Sequence, residues 1–226
     1  MKGDIIIIKE EHIQSAKAIV PQIIEKIKNK PSRFVITVAG ESGSGKSETA
    51  HAISDELKRF GINSVVLGQD DYFHLPPKLN SEKRKANSDW LGPHKEVNFE
   101  TLEQNLFDAV RGSSEIVKPL VDYDFDTVGS ETINLKDVKV IIAEGTYTSL
   151  LKHVDTRVFI SRDWIKTREH RIERNRGNEV NDVFTENILA TEHKIIAGHR
   201  QLADFVINDD YQVVDIEAEF NHAYKE

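Results

Sequence analysis

Apolar positions along the chain recur with two different periods, and the alternation between the two periods outlines an architecture. Ile5-Ile6-Ile7-Ile8 reads as a short strand. Ile13, Ala16, Val20, Ile23 and Ile27 then recur at helical spacing, with Pro21 as a kink or restart and Pro31 as a stop. Phe34 to Ala39 is the kind of β-branched run carried by a strand buried on both faces. It leads into a glycine-rich turn and a helix from Lys46 to Phe60, closed by Gly61. Asn63 to Leu67 is a second strand, ending at Gly68-Gln69-Asp70-Asp71.

Residues 72–97, with Pro76, Pro77, Gly92, Pro93 and many charges, read as a long irregular excursion. Loops of that length in a compact domain are usually functional. Asn98 can cap a helix whose apolar positions are Phe99, Leu102, Leu106 and Val110, with Gly112 at its end. Val138 to Ala143 and Arg157 to Ile160 follow as buried strands, then a charged helix from Asp163 to Arg176 and another from Val183 to His199. Phe205 to Ile207 and Gln212 to Ile216 close the chain as strands. Strands alternating with helices predict an α/β fold, a doubly wound sheet of parallel strands.

Length and composition narrow the function classes. The 226 residues hold no repeat or long linker, which predicts one domain over 1–226. At 38% hydrophobic and 30% charged, the chain is neither disordered, collagenous nor a coiled coil. With no Cys, disulfides, thiolate zinc sites and a cysteine nucleophile are excluded. The longest apolar runs fall far short of the roughly 20 residues of a membrane span, and the N-terminus lacks the apolar region of a signal peptide. A cytoplasmic location without membrane partners is therefore expected. A net charge of −8 argues against nucleic acid as a partner. There is no H-E-x-x-H pair and no G-x-S-x-G elbow, and His193 and His199 read as surface residues.

Gly40-Glu41-Ser42-Gly43-Ser44-Gly45-Lys46-Ser47 matches G-x-x-x-x-G-K-[ST] at every fixed position, between a buried strand and a helix. Glycines 40, 43 and 45 let successive N–H groups converge on phosphate oxygens, and the helix start adds its positive dipole end. Lys46 supplies charge to the β- and γ-phosphates, and the Ser47 hydroxyl is a ligand for Mg²⁺. Glu48 completes the candidate nucleotide-binding stretch, and ATP with Mg²⁺ is the expected cofactor pair.

Beyond this loop, Gln69-Asp70-Asp71-Tyr72-Phe73 resembles the uridine kinase and phosphoribulokinase family of P-loop kinases. So do Pro119 with Tyr123-Asp124-Phe125, Val140 to Gly145 ending in Glu144-Gly145, and the arginine-rich Arg168, Arg171, Arg174 and Arg176-Gly177. The resemblance covers roughly residues 34 to 210. It implies a P-loop core in which Asp70 is the general base toward an acceptor hydroxyl and also faces the metal, while Glu144 serves magnesium. Tyr72 and Tyr123 would touch the acceptor, and Arg171, Arg174 and Arg176 would belong to a lid closing over the phosphates. Residues read alone add that Arg162 to Arg176 hold six basic against three acidic side chains. Neighbouring residues at a strand end face opposite ways, so Asp71 is expected to face away from the acceptor, toward a cap or a supporting contact.

The departures concern the acceptor. In uridine kinases a His and an Arg follow the Tyr-Asp-Phe segment, whereas here Asp126, Thr127, Val128 and Gly129 follow Phe125. The family's Asp-His-Pro-Asp ribose motif is also missing. Asp126 to Gly129 matches D-x-x-G, but it follows no buried strand and no Asn-Lys-x-Asp accompanies it, so a GTPase switch is weakly supported; a nucleotide-driven binding protein or polynucleotide 5′-kinase is a further alternative. The resulting expectation is an ATP- and Mg²⁺-dependent kinase of a small hydroxyl acceptor. It has an N-terminal extension at 1–31, an acceptor-side excursion at 72–97, a lid at 162–182, and room for a homo-oligomer.

Overall fold

The computed structural model describes residues 2, 5–162, 165, 167, 168, 172 and 182–216. Its helices are α1 (Glu10–Asn29), α2 (Lys46–Arg59), α3 (Pro77–Ala86), α4 (Phe99–Val110) and α5 (Val183–Ile196). Its strands are β1 (Phe34–Gly40), β2 (Ser64–Gly68), β3 (Glu115–Asp122), β4 (Thr127–Asn134), β5 (Val140–Glu144), β6 (Thr156–Ile160), β7 (Phe205–Ile207) and β8 (Val213–Asp215). Six of them form one sheet in the order β2-β5-β1-β6-β7-β8, parallel except for β8, which pairs antiparallel with β7. β3 and β4 form a separate antiparallel hairpin.

The continuous apolar runs are explained by the two faces of this sheet. Along β1, Phe34, Ile36 and Val38 pack with α1 and α2, while Val35 and Ala39 pack with α4 on the other side. β5 divides the same way, with Val140 and Ile142 toward α1 and α2, and Ile141 and Ala143 toward α4. A strand covered on both faces has no polar side to show. Arg33, just before β1, ties the edges together by donating to the carbonyls of Ala109, Leu135 and Val138 at 2.7, 2.6 and 3.0 Å.

Several expectations change. Ile5 to Ile8 is not a strand: the segment makes no ladder with the sheet, and Ile5 and Ile7 are exposed. An apolar run becomes a strand only where a neighbour supplies its hydrogen bonds. α1 runs unbroken through Pro21, which lies on the exposed face beside Lys17, where water can serve the carbonyl that proline leaves without a donor. The excursion 72–97 is not irregular throughout, since α3 starts with Pro77 in its first turn and a short 3₁₀ turn follows at Ser88–Trp90. The β3–β4 hairpin was not anticipated. Apart from residues 165, 167, 168 and 172, the expected helix at 163–176 lies outside the described residues. Asn98 caps α4 as expected, its side chain accepting from the Thr101 N–H.

α1 places Ile19, Val20, Ile23 and Ile27 in the core with essentially no exposure. Truncating one of them leaves a cavity the sheet cannot collapse into. Ile23→Ala should lower unfolding free energy by roughly 2–5 kcal/mol in urea titrations, as for other buried Ile-to-Ala changes. A loss below about 0.5 kcal/mol would mean that α1 is an appendage rather than part of the core.

Candidate active site

Three parallel strands end side by side, and their ends carry the chemistry. β1 passes into the 40–45 loop and α2, β2 into the turn Gln69–Tyr72, and β5 into Glu144. The register is tight, because Val38 of β1 and Gly68 of β2 both pair with Glu144. In open parallel sheets ligands bind at this edge. Here it forms a cavity of about 490 Å³. Ser42, Gly43, Lys46 and Ser47 line one side, Phe73, Asn80, Arg84 and Tyr123 the other, with Asp70 and Glu144 also in the lining.

Gly45 precedes α2 at φ +92°, and a Cβ there would sit 2.9 Å from His12 Nε2. α1 therefore lies directly behind the phosphate loop. Gly145 at φ +153° is needed for packing as well as for conformation, since a Cβ would fall 2.3 Å from that of Gln69. Gln69 in turn accepts from the Tyr147 N–H at 2.9 Å. Lys46 donates to the Glu41 carbonyl at 2.8 Å, folding its ammonium back over the loop.

Among the cavity's carboxyls Glu144 is clearly perturbed. Burial, reinforced by the nearby Asp70 charge, pushes its carboxyl up from 4.5 to about 7, although Lys46 and the Ser47 hydroxyl partly offset this. Two carboxylates and a hydroxyl converging in one pocket form a hard-oxygen donor set. Magnesium typically takes one or two carboxylates and completes its shell with water and substrate phosphates. Ser47, Glu144 and Asp70 fit that ion, and the loop fits a polyphosphate.

Asp70 and Asp71 have separate surroundings. Asp71 is buried, with one oxygen accepting from the Lys118 ammonium at 2.6 Å and the other from the Val121 N–H at 3.0 Å. Lys118, itself 3% exposed, also meets Glu131 at 2.8 Å and the Pro119 carbonyl at 2.9 Å. The hairpin is thereby fastened to the turn that bears Asp70.

Other expected site residues lie elsewhere. Tyr72 is a correction: it is fully buried, donates to Asn105 Oδ1 at 2.9 Å and packs against α4 rather than lining the cavity. The 3₁₀ turn sends its ring down into the core. Glu41 turns its carboxylate to His193 Nδ1 at 2.5 Å, and Glu48 is buried on α2, so neither side chain lines the cavity. Gly40, Ser44 and Gly45 form the loop behind the lining residues. His199 is buried, against expectation, with Nδ1 2.8 Å from Ser149 Oγ. Arg171, Arg174 and Arg176 lie outside the described residues. Arg162, at the root of the same segment, hydrogen-bonds the Tyr211 hydroxyl and lies 4.6 Å from its ring.

Sequence reasoning missed two sets of site residues. Lys118 sits at an inward position of an alternating strand, where a lysine needs an acidic partner. Glu96, fully buried, holds Arg84 at 2.7 Å and Asn80 at 3.3 Å on the far wall, and only its spacing from α3 could have hinted at this.

Residues 35–213 match the model of the phosphoribulokinase / uridine kinase family. The chain belongs to this family. Such a P-loop kinase uses ATP on a small molecule. The chain is 28% identical over 83% of its length to a bifunctional alpha-galactosidase/sucrose kinase of Mediterraneibacter gnavus, but spans only 21% of that longer protein. A uridine kinase of Bacillus cereus is 32% identical over 79% of this chain and 86% of its own. In fold, this kinase is similar to a D-glycerate 3-kinase from Cryptococcus neoformans, with TM-score 0.61 at 15% identity, covering 91% of this chain and 98% of that one. Among the described residues no helix is long and apolar enough to cross a membrane.

A carboxyl raised by burial favours folding while it holds its proton. That contribution is present below the ordinary value of 4.5 and lost as pH rises through about 7. Glu144→Gln, measured without magnesium or nucleotide, should therefore melt higher than the parent at pH 8 and gain little at pH 5, while losing kinase activity. An equal difference at both pH values would show that Glu144 is not desolvated.

Proposed function

We propose that this kinase transfers the γ-phosphoryl group of ATP, with Mg²⁺, to a hydroxyl of a sugar or polyol held between Asp70, Tyr123 and the α3 wall. The observation that carries the reading is the shared cavity. Phosphate-loop residues, two carboxylates and a polar far wall line one space, so donor and acceptor can meet without water between them. In this reading the loop N–H groups and Lys46 hold the phosphates, and Ser47 and Glu144 hold the metal, which screens charge on the moving group. Asp70 takes the acceptor hydroxyl proton. Asp71 and Lys118 keep its turn in place, and the lid arginines would neutralise charge over the phosphates.

The acceptor class follows from the far wall. Asn80, Arg84, Glu96 and Tyr147 offer hydrogen-bonding groups suited to several hydroxyls. From the Tyr123-Asp124-Phe125 segment only Tyr123 lines the cavity, and Phe125 is 75% exposed. Asp126 to Gly129, directly after Phe125, include neither the His nor the Arg that uridine kinases carry there. The sucrose kinase relative points the same way, while the uridine kinase relatives favour uridine as the second reading.

ADP release measured over sugars, polyols and nucleosides tests the choice: turnover is expected with the first two, and efficient phosphorylation of uridine would overturn the acceptor class. With the acceptor so found, Asp70→Asn should lower kcat by roughly 10²- to 10⁴-fold, the usual contribution of a positioned base, with ATP affinity nearly unchanged. Asp71→Asn should affect folding stability more than ATP affinity. Lys46→Ala should weaken ATP binding and abolish turnover, and retention of near-parental rates would refute the loop assignment.

A further inference from the structure

One buried acid in the cavity has no part in the chemistry above. Glu192, on the third turn of α5, is 5% exposed yet lines the cavity beside the phosphate loop. Its Oε1 accepts from the Ser42 backbone N–H at 2.8 Å, and its Oε2 lies 3.2 Å from the Ser42 hydroxyl. The next residue, His193, meets the Glu41 carboxylate at 2.5 Å. Two successive residues of one helix thus hold two successive residues of the loop. Thr167 adds a third hold by donating to the Ser42 carbonyl at 3.1 Å.

The electrostatics make Glu192 more than a cap. The glycine-rich turn, the start of α2 and Lys46 suit this loop to an anion. Glu192 is an anion already placed on it, and it is attracted by Lys46 and Arg84 while burial opposes its charge. A polyphosphate arriving at Lys46 brings several like charges toward a carboxylate that water barely screens. The two compete for the same lysine, and the side chain already uses one of the loop's N–H groups.

We propose that Glu192 is a positioning residue that serves as the phosphate loop's internal counter-anion, fixing Ser42 and setting how tightly the triphosphate is held. The proposal rests on the reading that this loop binds ATP. A loop kept in shape by its own anion needs little rearrangement when the nucleotide arrives. It also holds the nucleotide less tightly than a loop without that charge, which favours release of the product diphosphate.

Glutamine keeps the side chain's shape and its acceptor oxygen for Ser42 N–H but removes the charge. Titration calorimetry of the full chain at pH 8, with ATP and with inorganic tripolyphosphate, each with and without Mg²⁺, is the test. Glu192→Gln should lower Kd for both ligands about tenfold, with and without the metal, at a melting temperature no lower than the parent's. Glu192→Ala, which loses the hold as well as the charge, should bind more tightly than the parent but less tightly than the glutamine variant. It also provides the test should the glutamine variant fold poorly. Unchanged Kd with a lower melting temperature would reduce Glu192 to a structural cap, and weaker binding only with Mg²⁺ would make it a metal ligand; either result overturns the proposal. If the parent chain bound neither ligand, the nucleotide reading of the loop would itself fail, and with it this proposal.

Discussion

The site depends on one constraint, the parallel pairing of β1, β5 and β2. Parallel strands all present their carboxyl ends at the same edge, and their hydrogen-bond register decides which residues stand level there. Glu144 pairs with Val38 on one side and Gly68 on the other, so the glycine-rich loop, the Glu144 carboxyl and the Asp70 turn begin at one height. A Cβ at Gly68 would stand 3.1 Å from Glu144 Oε1, which shows how little room the arrangement leaves. Slipping one strand by a residue would send these side chains to the other face.

The same edge concentrates charges that folding alone would avoid. Glu144 and Glu192 are both raised above the ordinary carboxyl range by burial, and Lys46 is the cation common to both. Around them the fold is conventional, with apolar strands between helices and polar groups satisfied in pairs such as Asp71 with Lys118 and Asp155 with Lys30. The contrast separates structural ion pairs, which are closed within the protein, from site charges, whose partners include a ligand.

How much the sequence disclosed follows the same division. The phosphate loop, α2, the β1 and β5 strands and the capped α4 were legible because a local pattern and a local cap agree at each. Asp70 was singled out from Asp71 on strand alternation and the family likeness, but both lie in the 3₁₀ turn Gln69–Tyr72, and what separates them in the structure is the burial of Asp71 against Lys118 and Val121. Tyr72 could not be placed, because the 3₁₀ turn after β2 breaks that alternation and returns its ring to the core. Ile5 to Ile8 misled for lack of a pairing partner, a property that no local window contains. The hairpin hid behind Pro119 and a buried lysine, and Glu192 and Glu96 became visible only when distant segments were brought together.

The hairpin is hydrogen-bonded to itself and not to the main sheet. It is joined to the rest through points such as the Lys118–Asp71 bridge, the Val121 N–H donating to Asp71 at 3.0 Å and Asn105 donating to the Val117 carbonyl at 3.0 Å. The wall that carries Tyr123 is thus built on a different scaffold from the loop that carries Lys46. Substitutions along the ribbon can reshape the acceptor side while the register of the central strands stays intact. If Tyr123 faces the acceptor as proposed, acceptor choice can be altered without disturbing the glycine-rich loop, because the two stand on separate supports.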